Sequence, residues 1–187
     1  MQFILDHISA SLVGGTVLLI LLVAQVRTGE VVVDQTSYYV AKTQLLNMND
    51  MVEADFKNVG FGVPASTPVF NVVTDDATEF LRLLDPDDTN LATVRYELVP
   101  TDTLEIDEEE VPVFEVQRIV DGVLTGKTPA SMIVFDVELR NVEGDPVADP
   151  VDAETVHVRY EMAMPFDTDA RYLKKVHWTR TFLAPNL

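Results

Sequence analysis

The chain has 187 residues, 31 acidic and 13 basic, for a net charge of −18. That charge excludes nucleic acid and anionic lipid surfaces as partners, since both would be repelled. There is no cysteine, so disulfides and thiolate metal sites are excluded and the fold must be held by packing. Acid is abundant and lysine scarce. That balance suits a halophilic protein with an acidic surface, because screening in concentrated salt shrinks to a few ångströms.

The first element is a run from Ile8 to Val26 with no ionisable side chain, rich in Leu, Val and Ile. As a helix it would be about 28 Å long, close to the roughly 30 Å hydrocarbon core of a bilayer. A cleaved secretory signal would need a basic start and a small-residue cleavage site. The chain opens instead Met1-Gln2-Phe3-Ile4-Leu5-Asp6-His7, and Val26-Arg27-Thr28 follows the run. The expectation is therefore a transmembrane helix over residues 1–27, with Gly14 and Gly15 as small residues that let helices pack closely. Asp6 is the acid nearest the lipid, with His7 beside it. Asp6 serves either as a cap on the first turn or as the carboxylate of a charge pair made on assembly.

From Val31 onward, Val31, Tyr38, Leu45, Val52 and Val59 recur every seven residues, with Ala41 and Met48 between them. This predicts an amphipathic helical extension over residues 28–60 with one apolar stripe. Val52 and Val59 are expected under the rest of the domain, and Val31 and Tyr38 toward other subunits. Gly60, Gly62 and Pro64 supply the stop. Gly29 and the β-branched run after it predict a kink or a frayed turn between the two helical parts.

Residues 61–187 read as a β-rich head. Short apolar runs predict strands at Val69–Val73, Glu79–Leu84, Ala92–Val99, Val113–Val120, Ser131–Arg140, Thr155–Met164 and Lys174–Leu183. Alternation in Thr93-Val94-Arg95-Tyr96-Glu97-Leu98 and in Val156–Met162 marks strands with one wet face. Asp85-Pro86-Asp87-Asp88, Val120-Asp121-Gly122 and Glu143-Gly144-Asp145-Pro146 have the chemistry of turns. The fold class expected is α+β, a long N-terminal helix packed on an antiparallel sheet.

No catalytic, cofactor-binding or metal-binding residue stands out. His7, His157 and His177 are the only histidines, and none has a second ligand at metal spacing. No serine is flanked by glycines as a nucleophile elbow requires. Asp85-x-Asp87-x-Thr89 begins like a calcium loop but lacks its Gly, and Tyr96 stands at its twelfth position, so it reads as an acidic turn. Enzyme activity, a cofactor and a small-molecule substrate are not expected.

The segment Asp55-Phe56-Lys57-Asn58-Val59-Gly60-Phe61-Gly62 resembles the pattern D-[LIF]-[RK]-x-[AV]-G-[FY]-G that ends the spine helix of type IV pilins and type II secretion pseudopilins, most closely their minor W- and J-type members. Val116–Gly122, Met132–Leu139 with Glu143-Gly144, and the ending Ala184-Pro185-Asn186-Leu187 are similar to the head strands and terminus of those subunits. The resemblance implies a helical spine with a β-sheet head that assembles into a pilin-like filament with copies of itself or related subunits. Assembly would run through Asp6, His7, Gly14, Gly15, Val31, Tyr38 and Leu45. It places the protein in the inner membrane with its head outside the cytoplasm, or in an extracellular filament. Family members carry a basic leader ending in Gly and a Glu at the fifth mature position. Counting from Phe3 puts His7 fifth and counting from Met1 puts Leu5 there, so the expected leader is atypical or missing. The alternative reading is a stationary single-pass subunit or adaptor of another envelope complex.

Overall fold

The computed structural model describes residues 2–85, 87, 89–106, 109–129, 131–164 and 175–183, with the side chains at 2, 4–6 and 106 outside that description. Helix α1 runs without a break from Gln2 to Phe56. Its 55 residues make a rod of about 82 Å at 1.5 Å per residue. The frayed turn expected at Gly29 does not occur, because the helix is continuous through it. Propagating an existing helix adds one hydrogen bond per residue fixed, which outweighs the loss of about 1 kcal/mol that one glycine imposes.

The helix stops where Gly60 and Gly62 take φ of 72° and 76°, a backbone region that favours glycine. Gly62 has a second reason to be glycine, because an added Cβ would lie 2.3 Å from the Leu83 side chain. The turn is fastened to the sheet by Gly60 N donating to Leu81 O and Leu83 N donating to Phe61 O. Val59 therefore lies beyond the helix, in this turn, and is fully buried there.

The head is one antiparallel sheet. Its strands are β1 (Phe70–Val73), β2 (Ala77–Arg82), β3 (Ala92–Ile106), β4 (Glu109–Val120), β5 (Val123–Lys127), β6 (Met132–Arg140), β7 (Thr155–Ala163) and β8 (Lys175–Leu183). Their order is β1-β2-β3-β4-β6-β7-β8, with β5 paired to β4. The seven strands expected are present, with shifted ends. β5 was not foreseen, although Asp121-Gly122 has the type I′ hairpin signature, with φ of 50° and 79°. Its sequence, Val-Leu-Thr-Gly-Lys, is short, exposed and interrupted by glycine, so it lacks the alternation of a half-buried strand.

Contact between β4 and β6 narrows to the single pair Phe114↔Met132, so the sheet divides into a β1–β5 half and a β6–β8 half that diverge along β4. The C-terminal end of α1 fills the space between them. Phe56 packs 5.0 Å from Phe80 on β2, 5.5 Å from Tyr96 on β3 and 6.1 Å from Phe182 on β8, ring centre to ring centre. Beneath it a row of aromatic rings crosses the inner face, Tyr96 to Phe135 at 5.6 Å, Phe135 to Tyr160 at 6.5 Å, and Tyr160 to Trp178 at 4.8 Å. Each ring buries well over a hundred square ångströms of apolar surface, which makes this row the main stabilising mass of the head.

Candidate assembly surface and the helix–head junction

Helix α1 has one end in the head and one end outside it. Within the head its buried positions are Ser37, Ala41, Met48, Val52, Asp55 and Phe56, and Leu45 packs against the same core. The Tyr160 hydroxyl reaches the Leu45 carbonyl at 3.5 Å, and Arg180 on β8 pairs with Glu53. Outside the head, Val31 is 55% exposed and Tyr38 47%, and the Ile8–Val26 run is uncovered throughout. The seven-residue stripe thus splits: Val52 is buried on the helix, Leu45 is half-buried, and Tyr38 and Val31 drift out. Geometry accounts for the drift. A straight helix at 3.6 residues per turn rotates a strict heptad by about 20° per repeat, so two or three repeats carry a position off the buried face.

The other residues expected at the assembly surface lie on the uncovered half. His7 is exposed. A Cβ added at Gly14 or Gly15 would meet nothing within 4 Å. The Asp6 side chain falls outside the described residues. Just above Val31–Val33, a shallow groove of about 380 Å³ is lined by Thr36, Tyr39, Val40, Thr43 and Gln44 on one flank of the helix. No part of the apolar half is buried by the head. Among the described residues this is the one helix long and apolar enough to cross a membrane.

At the other end of the socket lies an ionic cluster that sequence reasoning missed. Asp55, 2% exposed, sits on the buried stripe three residues after Val52. Its carboxylate accepts from Arg82 Nη1 at 3.0 Å, from Arg118 Nη2 at 2.9 Å and Nε, and from the Tyr96 hydroxyl at 2.7 Å. Arg82 also donates to the Ala54 carbonyl at 2.7 Å and to the Leu83 carbonyl at 3.1 Å. One acid on α1 is thereby tied to β2, β3 and β4 at once. Burial pushes the Tyr96 phenol well above its ordinary pKa, and the adjacent Asp55 charge adds to that. The hydrogen bond to Asp55 likewise raises Arg118.

The signal for this cluster was parity. Arg118 alternates with the buried Val116 and Val120, and Arg82 with Phe80, so each arginine stands on the inward face of its strand. Asp55 stands on the apolar stripe of the helix. A base on the dry face of a strand and an acid on the dry face of a helix in one chain call for each other, because a buried unpaired charge is prohibitive. Five residues of the segment Asp55–Gly62 therefore have a physical task here. Asp55 ties helix to sheet, Phe56 and Val59 fill the core, and Gly60 and Gly62 turn the chain.

The outer face of β6, β7 and β8 is a polar mosaic. Glu138 binds Arg140 at 2.7 Å, Glu161 binds Lys175, and His157 is held between Thr181 at 2.9 Å and Thr179 at 3.1 Å. Hydrogen bonds from these cations hold Glu138 and Glu161 below the usual carboxylate range. Asp85 of the calcium-like segment accepts from Asp87 N at 3.0 Å, as in an ordinary Asx turn. Among the described residues no group of three or more His, Asp or Glu side chains is placed to hold a metal ion. Compared with models of known protein families, with curated proteins and with solved structures, the chain matches none.

Proposed function

We propose that this chain is a structural subunit of a pilin-like filament of the cell envelope, anchored by α1 and carrying its head outside the cytoplasm. The observation that carries the reading is the division of α1. A single unbroken helix is socketed in the head from Ser37 onward, and its apolar N-terminal half is left bare. Lipid covers about 20 residues of helix. Placing the bilayer on Ile8–Val26 leaves Val31, Val32, Val33, Tyr38 and Tyr39 exposed beyond it. Apolar side chains in that position call for a protein surface, and side-by-side α1 helices from other copies supply one over the whole exposed length. Helices that pack in this way suit small residues at close approach, which Gly14 and Gly15 provide.

The absence of cysteine gives a clean test. Val31→Cys and Tyr38→Cys, each expressed in the full chain in native membranes, are expected to cross-link copy to copy. Asn58→Cys, on the head turn, should not. Filaments sheared from cells and imaged should contain the same cross-linked species. If Val31→Cys and Tyr38→Cys stay monomeric and no filament is recovered, the chain is instead a stationary single-pass subunit.

A further inference from the structure

The β3–β4 hairpin is longer than the sheet that holds it. β2 pairs with β3 no further than Glu97, with one more bond from Leu98 N to Asp76 O, and β6 meets β4 only at Phe114. Beyond these points five cross-strand pairs continue, from Asp102↔Val113 to Ile106↔Glu109. They form a two-stranded arm of roughly 17 Å at 3.4 Å per residue, and both of its edges are open among the described residues. A ribbon of two strands is marginal in water without a third strand or a covering surface. This one is weakened further by Glu105 directly opposite Glu110, a like-charge pair on adjacent strands. Leu104 opposite Val111 gives its other face a half-buried apolar pair. The arm thus has main-chain donors and acceptors to share, excess negative charge, and too little internal support.

The complementary surface is at the end of the sheet. β8 pairs with β7 over nine positions and, among the described residues, with no other strand, so its outer edge is open along its length. The charge is reversed as well. In a chain of net −18, β8 itself contains no Asp or Glu and carries Lys175 and Arg180. Lys175 and Arg180 each hold one carboxylate of their own protomer, yet their side chains remain 48% and 52% exposed, which leaves room for a second.

We propose that the acidic β3–β4 arm of one copy adds to the outer edge of β8 in a second copy. This contact rests on the filament reading and names its head-to-head interface. Main-chain hydrogen bonds along the edge give affinity, and the opposed charges fix which strands meet and in which sense. The arm and the β8 edge are different patches of one chain. The contact is therefore heterologous, the kind that propagates into an open filament when its rotation does not close a ring.

The test uses the full chain in native membranes at the salt of growth. Thr103→Cys on the arm and His177→Cys on β8 are exposed positions away from the core, and the two variants are co-expressed and treated with a short bis-maleimide. The expected result is a Thr103–Cys to His177–Cys heterodimer, with each variant alone giving little product. Glu109→Lys combined with Glu110→Lys on the arm should cut that yield on the order of tenfold without lowering the melting temperature, since Lys at 110 faces Glu105. If the heterodimer fails to form while Val31→Cys still cross-links, the arm contact is overturned and the filament reading stands. If the heterodimer forms and Val31→Cys stays monomeric, the arm contact stands and the filament reading falls. Capture of the arm by a different protein would also overturn the proposal.

Discussion

The two halves of α1 are one helix by backbone and two by surface. Between Ile8 and Val26 apolar residues point in every direction and the head covers none of them, whereas from Ser37 to Phe56 the head covers one apolar face and leaves only Tyr38, Tyr39 and Leu46 as large exposed apolar side chains. Composition explains the first half and periodicity the second. A helix that is hydrophobic all round needs a surrounding apolar medium, and a striped helix needs one partner on one side. The chain supplies the partner for the stripe and leaves the medium to be found outside itself. Between them, residues 28–36 share the exposure of the first half but already lie beyond the length a bilayer covers.

The sharpest way to break this contrast is to place the same charge on each side of the striped half. Val52→Asp puts a carboxylate where no partner can reach it and is expected to cost more than about 4 kcal/mol, a large part of a total stability on the order of 5–15 kcal/mol. Asn47→Asp, on the exposed side of the helix rather more than one turn before it, should change stability by less than about 0.5 kcal/mol. Urea titrations of the full chain in detergent would show the difference as a loss of the cooperative transition in the first variant alone. Equal damage from both would show that the buried face has been misplaced.

The ionic tie at the end of the stripe is the next test in size. Asp55→Ala leaves the buried Arg82 and the half-buried Arg118 beside one another without their carboxylate, and breaking a buried pair costs about 3–5 kcal/mol. Replacing all three charges, as Asp55→Leu with Arg82→Met and Arg118→Met, should recover most of that loss, because the desolvation cost disappears with the charges. If the triple variant is as unstable as Asp55→Ala, the cluster holds the helix by geometry that apolar packing cannot replace.

How much of this was legible follows from the same contrast. The apolar run, the stripe and seven of the strands could be read because each is a pattern carried by many residues, and averaging protects such a pattern from any one exception; the stop was read from Gly60 and Gly62. The cluster around Asp55 could not be read that way. It joins residues 27, 41 and 63 positions apart, and nothing local distinguishes Arg118 from an exposed strand arginine except its parity with Val116 and Val120. The long β3–β4 arm was missed for a related reason. Pro100, Asp102 and the acids near Glu109 look like a loop, and only the pairing of Asp102 to Ile106 with Glu109 to Val113 makes them strands. Tertiary pairing overrode weak local propensity there.

Alkali should strain the head at its core before it affects the apolar half of the helix from Ile8 to Val26, which carries no phenol. Burial raises the pKa of Tyr96, and also that of Tyr160, above the ordinary value of 10.0. A phenol whose folded-state pKa is raised stabilises the fold fully below its unfolded value, and that contribution is lost as pH rises toward the folded value. The melting temperature is therefore expected to hold up to about pH 10 and to fall above it. Tyr96→Phe cannot ionise and should flatten that decline while lowering stability at neutral pH. A decline of unchanged slope in Tyr96→Phe would place the alkaline limit elsewhere.

Salt should act on the head and spare the spine, a smaller effect that sharpens the comparison by its location. The −18 charge repels itself at low ionic strength, and screening shortens from about 10 Å at 0.1 M to 3 Å at 1 M. Raising potassium chloride to molar levels should lift the head's melting temperature by several degrees. Hydrogen exchange in the uncharged Ile8–Val26 segment should stay unchanged. A flat melting curve would remove the argument for a halophilic surface.

The smallest effect bears on the junction between the two halves. Gly29 lies inside an unbroken helix, and a Cβ added there would meet nothing within 4 Å. Glycine costs a helix interior roughly 0.5–1 kcal/mol relative to alanine, chiefly because it gives up more backbone freedom. Gly29→Ala should therefore slow amide exchange over residues 25–33 by about two- to fivefold in protein reconstituted into bilayers, with no change in the head. The result also separates two uses of the residue. If Gly29 is only tolerated, Gly29→Ala assembles as the native chain does and simply opens less often. If the spine must bend there as it leaves the bilayer, the same substitution slows exchange and lowers the yield of Val31→Cys cross-links together, because the stiffer rod pays the cost of bending that glycine had removed.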